Sequence, residues 1–196
     1  MPTPTLPPVG LGTGGAEYLA GQRCTDVVST ALELGYRHVD TAVMYGNHEA
    51  VGRGIRTADV PREEVVLGTK VPHDELEHAD VIDCLKTSRD ELGVDRIDIA
   101  YVHFPGPAYD PEGTLAAFEE LIADGTIAHL GVSNFSVEQL SEALEIAGES
   151  LLAVQAELHP LCRQPELVEF VQEHDVHLVG YAPLARGEGF QLDVLA

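Results

Sequence analysis

Three apolar, strand-like segments of this sequence each end on a residue that can take part in proton transfer. Tyr36–Asp40 ends on a carboxylate, Val65–Lys70 on an amine and Ile97–His103 on an imidazole, and Tyr45 follows the first segment closely. If these segments are neighbouring strands of one parallel barrel, their carboxyl ends lie at the rim where barrel enzymes have their active sites. The spacing therefore predicts one acid–base site built from four separate positions.

Tyr45 is the candidate proton donor of this site. An ordinary phenol, with a pKa of about 10, gives up its proton poorly at neutral pH unless a nearby cation stabilises the phenolate. Lys70 can be that cation, and Asp40 would hold the ammonium in place. His103 could hydrogen-bond the oxygen that takes the proton. Each residue alone also has a structural explanation, as a turn cap or a packing residue, but all four at matching strand ends favour catalysis.

Elements that could position these residues alternate along the chain. Short apolar, β-branched segments are followed by helical patterns, and the segments start about thirty residues apart, as in a βαβ unit. The predicted strands are Val9–Thr13, Tyr36–Thr41, Val65–Val71, Ile97–His103, Ala128–Ser133, Leu152–Glu157 and His177–Tyr181. The predicted helices are Thr25–Leu34, Asn47–Arg56, Ala79–Leu92, Glu112–Ala123, Ser136–Ala147 and Pro165–His174.

This alternation predicts a parallel sheet covered on both faces, either a doubly wound sheet or an eight-fold barrel. A Rossmann unit needs a glycine-rich turn that opens a helix, whereas Gly10–Gly15 leads into a poor helix start at Ala16–Gly21. We therefore expect an α/β fold of the TIM-type (β/α)8 class. Because seven strands are visible, we expect residues 1–196 to form a single barrel domain that ends before the last strand and helix.

The charge of the chain argues against several classes of partner. Thirty-three acidic residues oppose eleven basic ones, and the formal charge of −22 would repel phosphate backbones and anionic lipid surfaces. We expect neither a nucleic-acid partner nor a membrane partner. An acidic chain whose only lysines are Lys70 and Lys86 is typical of proteins that stay soluble in high salt. This composition is the basis for the hypothesis of a halophilic source.

The sequence also predicts a location and a redox state. No apolar segment approaches the ~20 residues of a membrane-spanning helix, and Met1–Pro8 lacks the pattern of a signal peptide. We expect a soluble, cytoplasmic protein that is a monomer or a weak homo-oligomer. Cys24, Cys84 and Cys162 are widely spaced, which favours reduced, structural thiols. The histidines lack the ligand spacing of a metal site, so no metal is expected.

Six short motifs follow one another along the chain: Gly35–Ala42 with Tyr45–Asn47, Gly68–Val71, Ile97–His103, Gly131–Phe135, Gln155–Pro160 and Tyr181–Leu184. In this order they resemble the aldo-keto reductase family, whose barrels reduce aldehydes and ketones with a nicotinamide cofactor. The resemblance covers nearly the whole chain.

The resemblance implies an NAD(P)H-dependent carbonyl reductase in which the four acid–base residues act as described above. It implies NADP as the cofactor, NADPH more than NADH, and a small-molecule aldehyde or ketone as the substrate. Candidates for the substrate wall are Val43, Met44, Phe104 and Tyr109. The cofactor-binding residues that it implies are Ser133, Asn134 and Gln155 for the nicotinamide carboxamide, Tyr181 for stacking on the nicotinamide ring, and Pro183 and Leu184 in a loop near the pyrophosphate.

Other functions stay open at the level of the sequence. The chain could be a barrel that binds nucleotide as a sensor or interaction subunit with little turnover, or a fragment whose motifs record its ancestry. A Schiff-base lyase that uses Lys70 is disfavoured, because Asp40 beside it would keep the amine protonated. A nucleophilic lysine must lose that proton.

Overall fold

Seven parallel strands form one sheet, and each strand pairs with the next one along the chain. The computed structural model describes residues 5–15 and 19–191. Parallel pairing of consecutive strands requires a crossover after each strand, and each crossover here contains a helix. The strands are β1 (Leu11–Gly12), β2 (His38–Asp40), β3 (Val66–Val71), β4 (Ile97–Val102), β5 (Ile127–Ser133), β6 (Leu151–Glu157) and β7 (His177–Tyr181).

Six α-helices occupy the crossovers in the described ranges. Short 3₁₀ segments lie at Val43–Tyr45, Arg62–Glu64, Gly148–Ser150 and Ala185–Gln191. The α-helices are α1 (Gly21–Glu33), α2 (His48–Thr57), α3 (His78–Leu92), α4 (Pro111–Ala123), α5 (Val137–Ala147) and α6 (Pro165–His174).

The ends of the helices follow local signals in the sequence. Before α5, the Ser136 hydroxyl accepts a hydrogen bond from the backbone N–H of Gln139. The Gln139 side chain in turn accepts one from the backbone N–H of Ser136, which completes a capping box. Helix α6 has the predicted bounds and begins with Pro165. Helix α1 differs, because it begins at Gly21 rather than Thr25. Its first three residues are exposed and contain no large apolar side chain, so apolar periodicity does not reveal this turn.

Alternation along the strands separates two apolar clusters. On β4, Ala100 and Val102 belong to the main core, in which the sheet packs against the helices. Ile99 and Tyr101 belong to a second, smaller cluster, and because alternate residues of a strand face opposite sides, this cluster lies on the inner face of the barrel. Tyr101 is fully buried there.

Two glycines make room for the Tyr101 ring. Gly131 lies on β5, and a Cβ atom at this position would overlap the ring. Gly68 lies on β3, where a Cβ atom would be 3.4 Å from the Cε2 atom of Tyr101. Because glycine has no side chain, these two positions leave room for a large aromatic residue inside the barrel.

The predicted TIM-type (β/α)8 architecture with about seven strands is confirmed. In the described residues, β1 and β7 each pair on one side only, and a cleft of about 460 Å³ lies between them. The cleft extends from Pro8 and Val9 to Asp40 and Gln155 at the rim of the barrel. Among the helices described, none is both long and apolar enough to cross a membrane.

Candidate active site

The four predicted acid–base residues meet at the carboxyl end of the sheet. Asp40 is the last residue of β2, Lys70 is next to last in β3, and His103 directly follows β4. Asp40 pairs with Gly68 of β3, two residues before Lys70. Tyr45 ends the 3₁₀ segment that follows β2. The structure thus brings together residues that lie far apart in the sequence.

Lys70 is buried and its charge is balanced at the site. Its ammonium donates to Asp40 Oδ2 at 2.5 Å and to the carbonyl oxygen of Thr41 at 2.8 Å. The Lys70 side chain is 1% exposed, whereas that of Asp40 is 16% exposed. The other carboxylate oxygen, Oδ1, accepts from Gln155 Nε2 at 3.0 Å. Asp40 is therefore held from both sides, and it holds the ammonium in a fixed position.

The Tyr45 ring lies near both the Lys70 ammonium and the His103 imidazole. The Lys70 Nζ atom is 5.3 Å from the centroid of the Tyr45 ring. The rings of Tyr45 and His103 are 6.0 Å apart at an angle of 85°. A cation beside a phenol can stabilise negative charge that develops on its oxygen during a reaction, because opposite charges attract. The arrangement suits a tyrosine that gives up a proton.

His103 is neutral at neutral pH in this environment. Burial, together with the positive charge of Lys70, lowers the pKa of His103 to about 4. Its Nδ1 atom is buried without a hydrogen-bond partner among the described residues. The Phe104 ring stacks on the imidazole at 4.8 Å. A neutral imidazole has one N–H group, which can donate a hydrogen bond to a substrate oxygen.

The low pKa of His103 predicts how stability depends on pH. Between its ordinary value of 6.5 and about 4, the unfolded chain binds a proton that the folded protein does not. The free energy of unfolding should therefore fall as the pH is lowered through this window and level off below it. Burial also lowers the pKa of His38, His48 and His129, which adds to the same slope.

We expect His103→Asn to reduce the loss of stability between pH 7 and pH 5, as measured by urea denaturation at the two pH values. His78→Asn is the matched control, because His78 lies on the surface at the start of α3. Equal pH slopes for the wild-type protein and His103→Asn would contradict the prediction.

The residues predicted for the cofactor form a network at the same rim. Asn134, which has a φ angle of 62°, donates to the carbonyl oxygen of His103 at 2.9 Å and to Ser133 Oγ at 3.0 Å. The Tyr181 hydroxyl donates to Asn134 Oδ1 at 2.8 Å. Hydroxyl and amide groups beside an aromatic ring are a suitable donor set for a carboxamide on a flat ring.

Two further groups of predicted cofactor residues have different surroundings. Gln155 points its amide nitrogen to Asp40, so it connects the cofactor candidates to the acid–base residues. Pro183 lines the cleft between β1 and β7. Leu184 follows it and is 54% exposed. These two residues lie beyond the end of β7.

Of the four candidates for the substrate wall, Val43 is partly buried and packs against the main core, and the other three divide into two groups. Met44 and Phe104 are large apolar residues that stay exposed next to Tyr45 and His103. Tyr109 instead packs edge-on against Phe135 at 5.2 Å, and its hydroxyl is buried. Packing is therefore sufficient to explain Tyr109, whereas Met44 and Phe104 are free to contact a substrate.

Sequence reasoning missed two contributors to the site. The Thr41 backbone carbonyl is the second acceptor for Lys70, and a backbone atom leaves no signal in the residue type. Asn47 is buried and accepts from the Thr41 hydroxyl at 2.9 Å, while its amide donates to the Thr13 carbonyl at 3.1 Å. It fixes the turn that carries Tyr45. Asn47 belongs to the motif Tyr45–Asn47, and this position is the sequence signal that could have pointed to its role.

Comparisons with known proteins agree with this geometry. A model described as the Aldo/keto reductase family matches residues 8–190. A 9,11-endoperoxide prostaglandin H2 reductase of Trypanosoma cruzi is 37% identical over 183 residues, which cover 93% of this chain and 64% of that protein. A methylglyoxal reductase of Salmonella typhi is 35% identical over 195 residues, or 98% of this chain and 72% of that protein.

A solved structure has the same fold. The crystal structure of a Bombyx mori aldo-keto reductase in complex with NADP has a TM-score of 0.82 and 31% identity, covering 91% of this chain and 63% of that one. The chain thus spans slightly less than two thirds of the Trypanosoma and Bombyx proteins.

Proposed function

Because the chain belongs to the aldo/keto reductase family, we propose that it is an NAD(P)H-dependent oxidoreductase that reduces an aldehyde or ketone to an alcohol. The observation that supports this most directly is the contact between the buried Lys70–Asp40 pair and the Tyr45 ring. Two of the relatives that this chain resembles are named as reductases.

The residues of the site divide the proton chemistry between them. A bound nicotinamide cofactor supplies the hydride for the carbonyl carbon. The N–H group of neutral His103 hydrogen-bonds the carbonyl oxygen and polarises it. The Tyr45 hydroxyl then gives its proton to that oxygen, and its O–H electron pair stays on the phenolate. Lys70 stabilises the phenolate, while Asp40 keeps the ammonium in position.

The cofactor would be held by the network around Asn134. Ser133 and Asn134 would bind the carboxamide, and the Tyr181 ring would stack on the nicotinamide. Gln155 would support the carboxamide side while it orients Asp40. Pro183 and Leu184 would lie near the pyrophosphate. NADPH is the preferred form in this proposal, and the NADP complex of the Bombyx relative is consistent with it.

Titration of NADPH fluorescence tests the cofactor site. We expect saturable binding, and Tyr181→Ala should weaken it about two- to tenfold, because an aromatic stacking contact contributes about 0.5–1.5 kcal/mol. Tyr36→Ala is the control, since Tyr36 precedes β2 at the opposite end of the barrel. NADH is titrated in parallel to measure the preference between the two cofactors. The absence of NADPH binding in a folded sample would contradict the proposal.

Turnover tests the reaction itself. Small aldehydes are the first substrates to test, because the mouth of the site presents the apolar side chains of Met44 and Phe104 and a relative is a methylglyoxal reductase. We expect NADPH oxidation, followed at 340 nm, to depend on added methylglyoxal. Tight NADPH binding without turnover would instead indicate the alternative function, a nucleotide-binding barrel that acts as a sensor or interaction subunit.

The halophilic source stays a hypothesis, supported by the formal charge of −22. We expect the melting temperature to rise between 0.1 M and 2 M KCl, because salt screens repulsion between acidic side chains. Thermal unfolding followed by circular dichroism measures this shift. An unchanged or lower melting temperature in high salt would contradict the hypothesis. The cytoplasmic location and the monomeric or weakly oligomeric state also stay predictions.

A further inference from the structure

The turn that carries Tyr45, residues 42–47, is bonded to β3 at its start. Thr41 directly follows β2, and its N–H group donates to the carbonyl oxygen of Gly68 at 2.9 Å. The carbonyl oxygen of Thr41 accepts from the Lys70 ammonium at 2.8 Å. The chain then leaves the sheet through the 3₁₀ segment that ends at Tyr45. The position of the Tyr45 ring therefore also depends on how the far end of this turn is held.

His48 bonds the far end of the turn to the same strand. It is the first residue of α2 and is 4% exposed. Its Nε2 atom lies 2.9 Å from the hydroxyl oxygen of Thr69, which is fully buried. Thr69 precedes Lys70 on β3, and alternate residues of a strand face opposite sides. Thr69 therefore faces the helices, while Lys70 faces the acid–base site.

Glu91 determines the direction of this hydrogen bond. Its carboxylate, near the end of α3, lies 3.1 Å from Nδ1 of His48. Burial lowers the pKa of His48, although the Glu91 carboxylate opposes the shift, so the imidazole is neutral at neutral pH. A neutral imidazole has one N–H group, and a carboxylate can only accept. The N–H group therefore lies on Nδ1, and Nε2 accepts from the Thr69 hydroxyl.

Asn47 supports the turn from a different direction. Its amide donates to the Thr13 carbonyl, just after β1, at 3.1 Å and to the Leu19 carbonyl at 3.3 Å. Strands β1 and β3 lie on opposite sides of β2. The amide of Asn47 thus bonds the turn toward β1, whereas the imidazole of His48 bonds it to the strand that carries Lys70.

We propose that His48 is a positioning residue, whose hydrogen bond to Thr69 holds the turn so that the Tyr45 phenol stays beside the Lys70 ammonium. The Lys70 Nζ atom is 5.3 Å from the centroid of the Tyr45 ring. Displacement of a reacting group by about 1 Å can lower a rate about 100-fold. His48 acts through Tyr45 and Lys70 rather than on the substrate, and its effect on turnover rests on the proposed function.

The Lys70 side chain reports the position of the Tyr45 ring without any substrate. Lys70 and Lys86 are the only lysines of the chain, so ¹³C-lysine labelling gives two sets of side-chain NMR signals. The ring current of Tyr45 shifts the Lys70 signals, and Tyr45→Leu shows their position without the ring. We expect His48→Ala to move the Lys70 signals toward that position. Lys86, which is 42% exposed, should stay unchanged as an internal control.

Two further substitutions at position 48 separate the hydrogen bond from the loss of a side chain. The amide of His48→Gln reaches as far as Nε2 and can accept from Thr69, so this variant should keep the wild-type Lys70 signals. The amide of His48→Asn reaches only as far as Nδ1, so this variant should behave like His48→Ala. Ile55→Val removes a buried methyl group from the same helix and should leave the Lys70 signals unchanged. Identical Lys70 signals in His48→Ala and the wild-type protein would overturn the proposal.

Kinetics tests the same bond during turnover. If the chain reduces aldehydes, His48→Ala should lower kcat about ten- to hundredfold. NADPH affinity should stay unchanged, because the proposed cofactor residues lie on or after β5, β6 and β7. Thr69→Val keeps the shape of the side chain without the hydroxyl and should cause a similar loss, whereas Thr69→Ser should keep the wild-type rate. The double variant His48→Ala/Thr69→Val should be no slower than either single variant, because the two residues share one bond. Losses that multiply would overturn the proposal.

Two outcomes distinguish a failed role of His48 from a failed reductase. A wild-type kcat in His48→Ala would overturn the positioning role and leave the proposed function intact. A wild-type protein with no turnover would refute the proposed function, while the Lys70 signals would still decide whether His48 positions Tyr45.

Discussion

Tyr45→Phe is expected to lower kcat for aldehyde reduction by about 10²- to 10⁴-fold, the usual contribution of a positioned proton donor. The variant loses only a hydroxyl group, so the ring keeps its contacts with Lys70 and His103. NADPH affinity and the melting temperature should change little. The measurement combines NADPH oxidation at saturating aldehyde with NADPH fluorescence titration and thermal unfolding of the same sample.

Tyr36→Phe is the matched control for this experiment. It removes the same atom from a tyrosine that precedes β2, at the end of the barrel opposite to the site. Its kcat should equal that of the wild-type protein. Equal rates in Tyr45→Phe and the wild-type protein would show that another group protonates the substrate, and would refute the role proposed for Tyr45.

Asp40→Asn is expected to destabilise the protein by about 3–5 kcal/mol, the usual cost of removing one partner of a buried ion pair. Asparagine has nearly the shape of aspartate but no charge. The Lys70 ammonium, only 1% exposed, would then keep the Thr41 carbonyl as its remaining strong acceptor. Urea denaturation near pH 7 measures the change in the free energy of unfolding.

Two further variants show whether the loss comes from the unpaired charge. Adding Lys70→Met to Asp40→Asn removes that charge, so the double variant should recover most of the lost stability. Lys86→Met disrupts the exposed pair with Asp124, in which the side chains are 42% and 38% exposed, and should cost less than about 1 kcal/mol. A loss below about 1 kcal/mol in Asp40→Asn would mean that the pair is more hydrated than its burial indicates.

Much of the fold could be predicted from the sequence because its signals are local. Apolar β-branched segments identified the strands, and Ser136 and Pro165 marked the starts of two helices. The first turn of α1 could not be predicted, since Gly21–Arg23 is exposed and has no apolar periodicity. The predicted strand Tyr36–Thr41 was too long, because β2 pairs with its neighbours only over His38–Asp40.

The sequence by itself determined which residues lie at the rim of the barrel. Once consecutive strands are parallel, Asp40, Lys70 and His103 must lie at the same end of the barrel, because chain direction alone decides this. The order of the motifs along the chain also indicates the family, and it involves no distance between residues. Neither inference depends on how closely the side chains pack.

Only the tertiary structure decided which polar atoms are paired and which are not. Gln155 orients Asp40 across 115 positions of sequence, and no local pattern encodes that contact. The neutral state of His103 follows from its burial and from the nearby Lys70 charge. Among the described residues, His38 Nε2 and the Tyr101 hydroxyl are buried without a hydrogen-bond partner, and this too depends on how the strands pack. Hydrogen bonds and pKa values change over a few ångströms, and strand packing sets distances on that scale.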